Sequence, residues 1–284
     1  MTRISVTEDG EPFREKFQEM NAEIDRIKKV YRLRKEKRIY WSLFRPEVHF
    51  LDFELQRKYM QAFKLCGVTQ ENVSTKKLLD AGCGSGKWLR WFQDLGFRQL
   101  FGVDILDQEI NESRQLNPGI NFHNASISAL PFEDNYFDFI ILSEVFSSIL
   151  DKRLIEDSAR ELFRIIAYGG GIFFNDNTNT RIEKTKIDGE HYLRCIKKED
   201  LVKLFPDAQI NFSFFLVNPF FTGVLTSIIN RGLFRSILRK TPFRNKMIDH
   251  QKVLMLKFPY CLVEIAKHFN FLNIHIFAII RKIK

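Results

Sequence analysis

Apolar positions fall into three textures along the chain. From residue 11 to 38 the sequence is charge-dense, and Phe13, Phe17, Met20, Ile24, Ile27, Val30 and Tyr31 recur near helical spacing. This predicts an amphipathic helix. Residues 40–46 (YWSLFRP) interrupt it, because a residue before proline is biased away from helix. Phe53 to Leu65 reads as a second helix, and Gly67 to Lys76 as a connector. From Lys77 onward short apolar runs alternate with amphipathic stretches. Leu78–Ala81, Leu100–Asp104, Ile120–His123, Phe137–Leu142 and a run from Ile172 read as strands. Phe137–Leu142 is nearly all apolar, as a strand buried on both faces requires. Lys87–Leu95, closed by Gly96, and Asp151–Ala167, stopped by Gly169–Gly171, read as helices. Strands separated by helices at this rhythm imply a doubly wound, mostly parallel α/β sheet. Further strands are expected near Ile210–Val217 and at Asn273–Ile280.

Composition narrows the class. The chain has 284 residues, of which 45% are hydrophobic, enough to build a core and exclude global disorder. Cys66, Cys83, Cys195 and Cys261 include no CxxC pair, which argues against a disulfide framework or a cysteine zinc site and for a reducing compartment. The first 17 residues are too polar for a signal peptide. Residues 208–230 carry no formal charge over 23 positions, long enough to span a bilayer. Gln209, Asn211, Asn218, Pro219 and Asn230 make a strand, turn and helix the better reading.

The net charge of +9 suggests a polyanionic partner until its distribution is read. Residues 219–284 hold twelve Lys or Arg against two acids, so the rest of the chain is nearly neutral. Within 231–240 (RGLFRSILRK), Leu233, Phe234, Ile237 and Leu238 fall on one side of a helical projection and Arg231, Arg235 and Arg239 on the other. Such a helix suits a lid with a solvated face, or contact with an anionic membrane through 219–246. Nucleic acid is the weaker candidate, since no recognition module or set of interleaved stacking aromatics accompanies the charge.

The chemistry concentrates in Leu78–Gly86, LLDAGCGSG. Glycines at a strand-to-helix turn let a ligand approach the backbone, and the helix N-terminus offers free N–H groups. The loop is GxGxG rather than the GxGxxG of nicotinamide sites, with Asp80 two residues before the first glycine. Asp104 ends the next strand, where a carboxylate suits the hydroxyls of an unphosphorylated ribose.

These residues resemble the class I S-adenosylmethionine-dependent methyltransferases. LLDAGCGSG is similar to the first motif, FGVDI (101–105) to the second, ALPFEDNYFDFIILSEV (129–145) to the strand that follows, and ARELFRIIAYGGGIFFND (159–176) to the next helix, turn and strand. The resemblance implies a Rossmann-like seven-stranded sheet with S-adenosylmethionine as cofactor. It implies that Asp80, Gly82 and Gly84 serve the methionine end, Asp104 the ribose and Ile105 the adenine, with Gly86 also binding the cofactor. The polar residue at the adenine edge falls on Ser126, or on the Asn124–Ala125 pair two residues earlier. Ser143 and Glu144 are expected to face the sulfonium. The histidine that often follows is missing from EVFSSI (144–149). His191 and Asp176 are the candidate bases, and the Asp/Asn-Pro-Pro-aromatic pattern of adenine-N6 enzymes is absent.

The flanks, YWSLFRP and the tail HIFAIIRK, are similar to bacterial methyltransferases of surface-polysaccharide biosynthesis. This second resemblance implies sugar O-methylation, on a lipid-linked or nucleotide-linked glycan. The expected activity is O-methylation of a small-molecule or glycan acceptor, in the cytoplasm or at the inner membrane face. The expected organisation is an N-terminal helical extension (1–66), a cofactor-binding core (67–217), a basic helical insertion (218–272) and a final core strand (273–284). The alternatives are an RNA methyltransferase, or a regulatory or scaffold protein that binds the cofactor without turnover.

Overall fold

A computed structural model describes residues 10–36, 46–178, 184–187, 191–217 and 273–283. Two helices come first, α1 (Gly10–Glu36) and α2 (Pro46–Leu65). Then follow β1 (Lys77–Ala81), α3 (Lys87–Asp94), β2 (Gln99–Asp104), α4 (Asp107–Leu116), β3 (Asn121–Asn124), β4 (Phe137–Ser143), α5 (Lys152–Ile165) and β5 (Ile166–Asn177). The remaining elements are β6 (Lys184–Ile187), β7 (His191–Arg194), α6 (Lys198–Leu204), β8 (Ala208–Val217) and β9 (Asn273–Lys282). Residues 40–45 of the YWSLFRP segment and the basic stretch of 218–272 lie outside the described residues.

Seven strands form one sheet in the order β3-β2-β1-β4-β5-β9-β8, and β6 and β7 form a separate hairpin. The first five are parallel, and β9 runs antiparallel between β5 and β8. The expected α/β architecture is therefore observed. Because the strand order reverses between β1 and β4, their carboxyl ends open a crevice where the connections diverge to opposite sides.

Alternation along the strands builds two apolar layers. Ile140 and Leu142 of β4 join Leu79, Val103, Ile172, Phe174 and the inner faces of α5 and α6. Phe139 and Ile141 point the other way, into a layer with Leu78, Leu100, Phe173 and Phe92 of α3. Helix α2 completes that second layer, since Leu51, Leu55, Tyr59, Ala62 and Phe63 lie on one helical stripe. It starts at Pro46, seven residues before the position expected from the sequence, because proline suits the first helical turn.

The glycine run 169–171 differs from its predicted role as a helix stop. Helix α5 already ends at Ile165, and β5 begins at Ile166 with the three glycines inside it. Phe137 pairs with Ile166 but Phe139 with Gly171, so β5 bulges outward between the two pairs. A Cβ on Gly170 would lie 2.6 Å from the Asp138 carbonyl oxygen, so glycine allows the close approach. Lys282 Nζ fastens the bulge by donating to Asn135 Oδ1 (2.8 Å), Phe163 O (2.9 Å) and Ile166 O (3.1 Å).

Residues 208–217 of the uncharged stretch form β8, paired residue by residue with β9. Among the described residues no helix is long and apolar enough to cross a membrane.

Candidate functional site

The glycine loop leaves β1 at the crevice and folds back on β2. Gly82 and Cys83 donate their N–H groups to the Val103 carbonyl at 2.7 and 2.9 Å. Gly82 has φ 84°, and a Cβ there would lie 2.5 Å from Val145 Cγ2. Gly84 has φ 49° and donates its N–H to Asp104 Oδ2 at 2.9 Å. Gly86, at φ 74°, caps α3. The other Asp104 oxygen accepts from Leu106 N at 2.9 Å, so this carboxylate organises the turns after both β1 and β2.

Two residues that the sequence reading missed hold the loop from behind. Ser113 Oγ donates to Gly84 O at 2.8 Å, and Asn117 Nδ2 reaches Ser85 O at 3.3 Å. Both are buried four residues apart, Ser113 in the last turn of α4 and Asn117 at its C-cap. Polar residues at that spacing on a helix after an acidic strand end were the available signal.

At the far edge, Asn124 Nδ2 and Ala125 N both donate to the Asp104 carbonyl, at 3.0 and 3.2 Å. Ser126 instead shares a 2.8 Å hydrogen bond with Ser128. The Asn124–Ala125 pair is thus tied directly to the end of β2, beside the half-buried Ile105.

Four carboxylates cluster around the crevice. Asp80 is 2% exposed, and its Oδ2 is buried without a hydrogen-bond partner. Burial and the neighbouring Asp104 raise its pKa to about 8. Burial also raises Asp104, against the pull of its backbone donors. Glu144 follows β4, rises to about 7 through burial and Asp176, and adopts φ 57°. Asp176 is fully buried and raised to about 6 by burial. Its oxygens accept from Ser147 N at 2.9 Å and Asn177 N at 2.8 Å, which is the geometry of a residue that holds a turn. Ser143 Oγ accepts from Asn175 Nδ2 at 3.1 Å. His191 opens β7, which runs beside the short turn Phe146–Ser148; its side chain lies outside the described residues.

Helix α1 packs across the loop that follows β4. Arg26 donates to Ser148 O at 2.7 Å, Tyr31 meets Ser148 Oγ at 2.8 Å, and Glu23 accepts from Leu150 N at 2.6 Å. Lys35 reaches across to Glu109 and Glu112 of α4 at 3.0 and 2.6 Å. One helix therefore bridges α4 and the loop that follows β4.

A glycine turn with no room for a side chain at Gly82, beside the unpartnered buried oxygen of Asp80, fits a ligand that is cationic and closely held. S-adenosylmethionine has that character, with an ammonium group and a positively charged sulfur. Comparison with known proteins agrees. Residues 79–174 match the family described as "Methyltransferase domain". Over 142 residues the chain is 24% identical to the human eEF1A lysine and N-terminal methyltransferase, covering 46% of this chain and 20% of that protein. It is 30% identical over 98 residues to the malonyl-[acyl-carrier protein] O-methyltransferase of Enterobacter lignolyticus, covering 34% and 38%. It is 30% identical over 105 residues to the ubiquinone/menaquinone biosynthesis C-methyltransferase of Serratia proteamaculans, covering 34% and 40%. The chain thus spans between a fifth and two fifths of the length of these relatives. A solved structure of a proposed sarcosine dimethylglycine methyltransferase from Galdieria sulphuraria shares the fold, with a TM-score of 0.52 at 16% identity over 83% of this chain and 88% of that one. Residues 79–174 carry a methyltransferase domain, built on the class I S-adenosylmethionine-dependent methyltransferase fold.

Proposed function

We propose that this domain methylates an oxygen of a small-molecule or glycan acceptor. The observation that carries the reading is the half-open Glu144 carboxylate at the end of β4, its side chain 35% exposed, in the crevice whose opposite wall is the glycine loop. A hydroxyl is a weak nucleophile and gains from a carboxylate within reach. When bound, the cofactor supplies a methyl group activated by positive sulfur. The protein's contribution is then alignment and charge.

In this reading Asp80, Gly82, Gly84 and Gly86 hold the methionine end, and the orphaned Asp80 oxygen receives its ammonium. Asp104 receives the ribose hydroxyls on the lone pairs its backbone donors leave free, and Ile105 packs on the adenine. Asn124–Ala125 or Ser126 reads the adenine edge. Ser143 and Glu144 border the methyl group. Asp176 keeps the 146–148 turn in place, while His191 stands on the acceptor side. The division into 1–66, 67–217, 218–272 and 273–284 follows the same logic, with acceptor-side additions flanking the cofactor core. The resemblance of the flanks to glycan methyltransferases supports a sugar acceptor, and the basic stretch 219–246 supports recruitment to an anionic membrane.

Calorimetry with S-adenosylmethionine tests the cofactor site, and Asp104→Ala is expected to weaken binding. Transfer of labelled methyl from S-adenosylmethionine is then measured onto nucleotide-linked hexoses, lipid-linked glycans, RNA and protein. Label on a sugar oxygen supports the reading; label only on RNA or protein replaces it. Flotation with anionic liposomes, compared for the chain with and without 219–246, tests the membrane contact, which fails if the two behave alike.

A further inference from the structure

The residue that follows β4 has an unusual backbone for its type. Glu144, at φ 57°, occupies the left-handed region, which costs a non-glycine residue energy and persists where surrounding contacts enforce it. The enforcing contact is Asn175, whose carbonyl accepts the Glu144 N–H at 2.8 Å. The fully buried Asn175 side chain does two further things. Its Nδ2 donates to Ser143 Oγ at 3.1 Å, and its Oδ1 lies 3.4 Å from His275 Nδ1 on β9. With the amide nitrogen committed to Ser143, the oxygen is an acceptor, so His275 carries its proton on Nδ1. The Nε2 lone pair then faces Glu144 Oε1 at 3.9 Å. His275 is 3% exposed, and burial lowers it to about 4, so the ring stays neutral. One residue, Asn175, therefore orients both a half-open carboxylate and a sealed imidazole.

We propose that Glu144 takes the proton from the acceptor hydroxyl and that His275 is the positioning residue that accepts the hydrogen bond of the protonated carboxyl. This rests on the reading of an oxygen acceptor. The O–H bond breaks, its proton passes to a Glu144 oxygen, and its electron pair stays on the acceptor oxygen. That oxygen bonds to the transferred carbon as the carbon–sulfur pair remains with sulfur. The new Glu144 O–H closes the 3.9 Å gap to His275 Nε2, and the proton later leaves through the exposed part of Glu144. Asp176 from β5 and Asp52 from α2 oppose ionisation of Glu144, while Arg34 from α1 and Lys87 from α3 favour it. Burial and Asp176 prevail and lift the group toward neutrality, where a base works well at ordinary pH.

The test is carboxyl carbon-13 NMR on the full chain, with the Glu144 signal identified by its loss in Glu144→Gln. The expected midpoint lies near neutral pH and is displaced in His275→Phe, or in His275→Gln should the phenylalanine variant fail to fold. S-adenosylhomocysteine, which lacks the sulfonium charge, is expected to bind both variants within about threefold of wild type. With a sugar that turns over, Glu144→Gln is expected to lower kcat by about 100-fold or more and to remove the acidic limb of the pH profile. A Glu144 midpoint in the ordinary carboxylate range, or one that neither His275 variant moves, overturns the proposal. Failure of wild type to bind S-adenosylhomocysteine overturns the cofactor reading, and absence of sugar turnover overturns the acceptor reading. The NMR result decides the Glu144–His275 pair in either case.

Discussion

Asp104 accepts the Gly84 N–H at 2.9 Å, which makes the tip of the glycine loop and the end of β2 a single unit. The same carboxylate accepts from Leu106 N, so one side chain sets two turns. Both turns border the crevice, and their geometry therefore depends on the same carboxylate.

Replacing Asp104 with alanine leaves the Gly84 and Leu106 N–H groups unpartnered. Loss of such hydrogen bonds to a charged acceptor costs about 1.5–3 kcal/mol each at most, less where water re-enters. The expected outcome is at least a tenfold loss of S-adenosylmethionine affinity by calorimetry, about 1.4 kcal/mol, with a lowered melting temperature.

Gly82 and Gly84 separate space from backbone conformation. Both have positive φ, but a Cβ on Gly82 would fall 2.5 Å from Val145 Cγ2, whereas nothing lies within 4 Å of one on Gly84. Gly84→Ala is expected to cost about 1 kcal/mol from backbone strain alone, and Gly82→Ala roughly 2–4 kcal/mol. Adding Val145→Ala to Gly82→Ala relieves part of the second loss but none of the first. Chemical denaturation of the four proteins checks this.

Asp80 makes ligand-free stability depend on pH. In the unfolded chain its carboxyl titrates near 4 (approximately), whereas in the fold burial and Asp104 raise it to about 8. The unfolded state therefore loses its proton first, and stability falls as pH rises between those values. Asp80→Asn removes the charged form and is expected to flatten that slope, by on the order of a few kcal/mol near pH 8. It also weakens S-adenosylmethionine binding. Thermal melts across the range, with and without the cofactor, read both effects.

Helix α1 is held to the β4–α5 loop by polar contacts. Glu23 accepts from both Arg26 and Leu150 N, so Glu23→Ala strands a backbone donor and loosens the Arg26 bond to Ser148 O. Hydrogen exchange over residues 20–36 is expected to accelerate by roughly tenfold, the equivalent of about 1.4 kcal/mol of local stability. Exchange in β1 and β4 is expected to stay as in wild type.

Most of the α/β sheet was legible from the chain alone, because each strand and helix announces itself over a few residues. Asp80, the glycine loop and Asp104 belong to that class, since strand, turn and helix follow one another without a gap. The glycine run 169–171 misled for the same reason. Glycines after a helix look like a stop, and only pairing with Phe137 and Phe139 turns them into a bulge.

The sequence by itself determined the succession of the seven sheet strands, the glycine turn after the first of them and the uneven charge, because these depend on local spacing and composition. Only the tertiary structure decided which groups meet around the ends of β4 and β5. Arg26 reaches Ser148 across 122 residues, and His275 reaches Asn175 across 100. His275 sits in an apolar strand that carries no chemical motif, and it gains a role only when β9 inserts antiparallel beside β5. Side-chain direction in a sheet follows register. Register between strands a hundred residues apart is set by packing of the whole core.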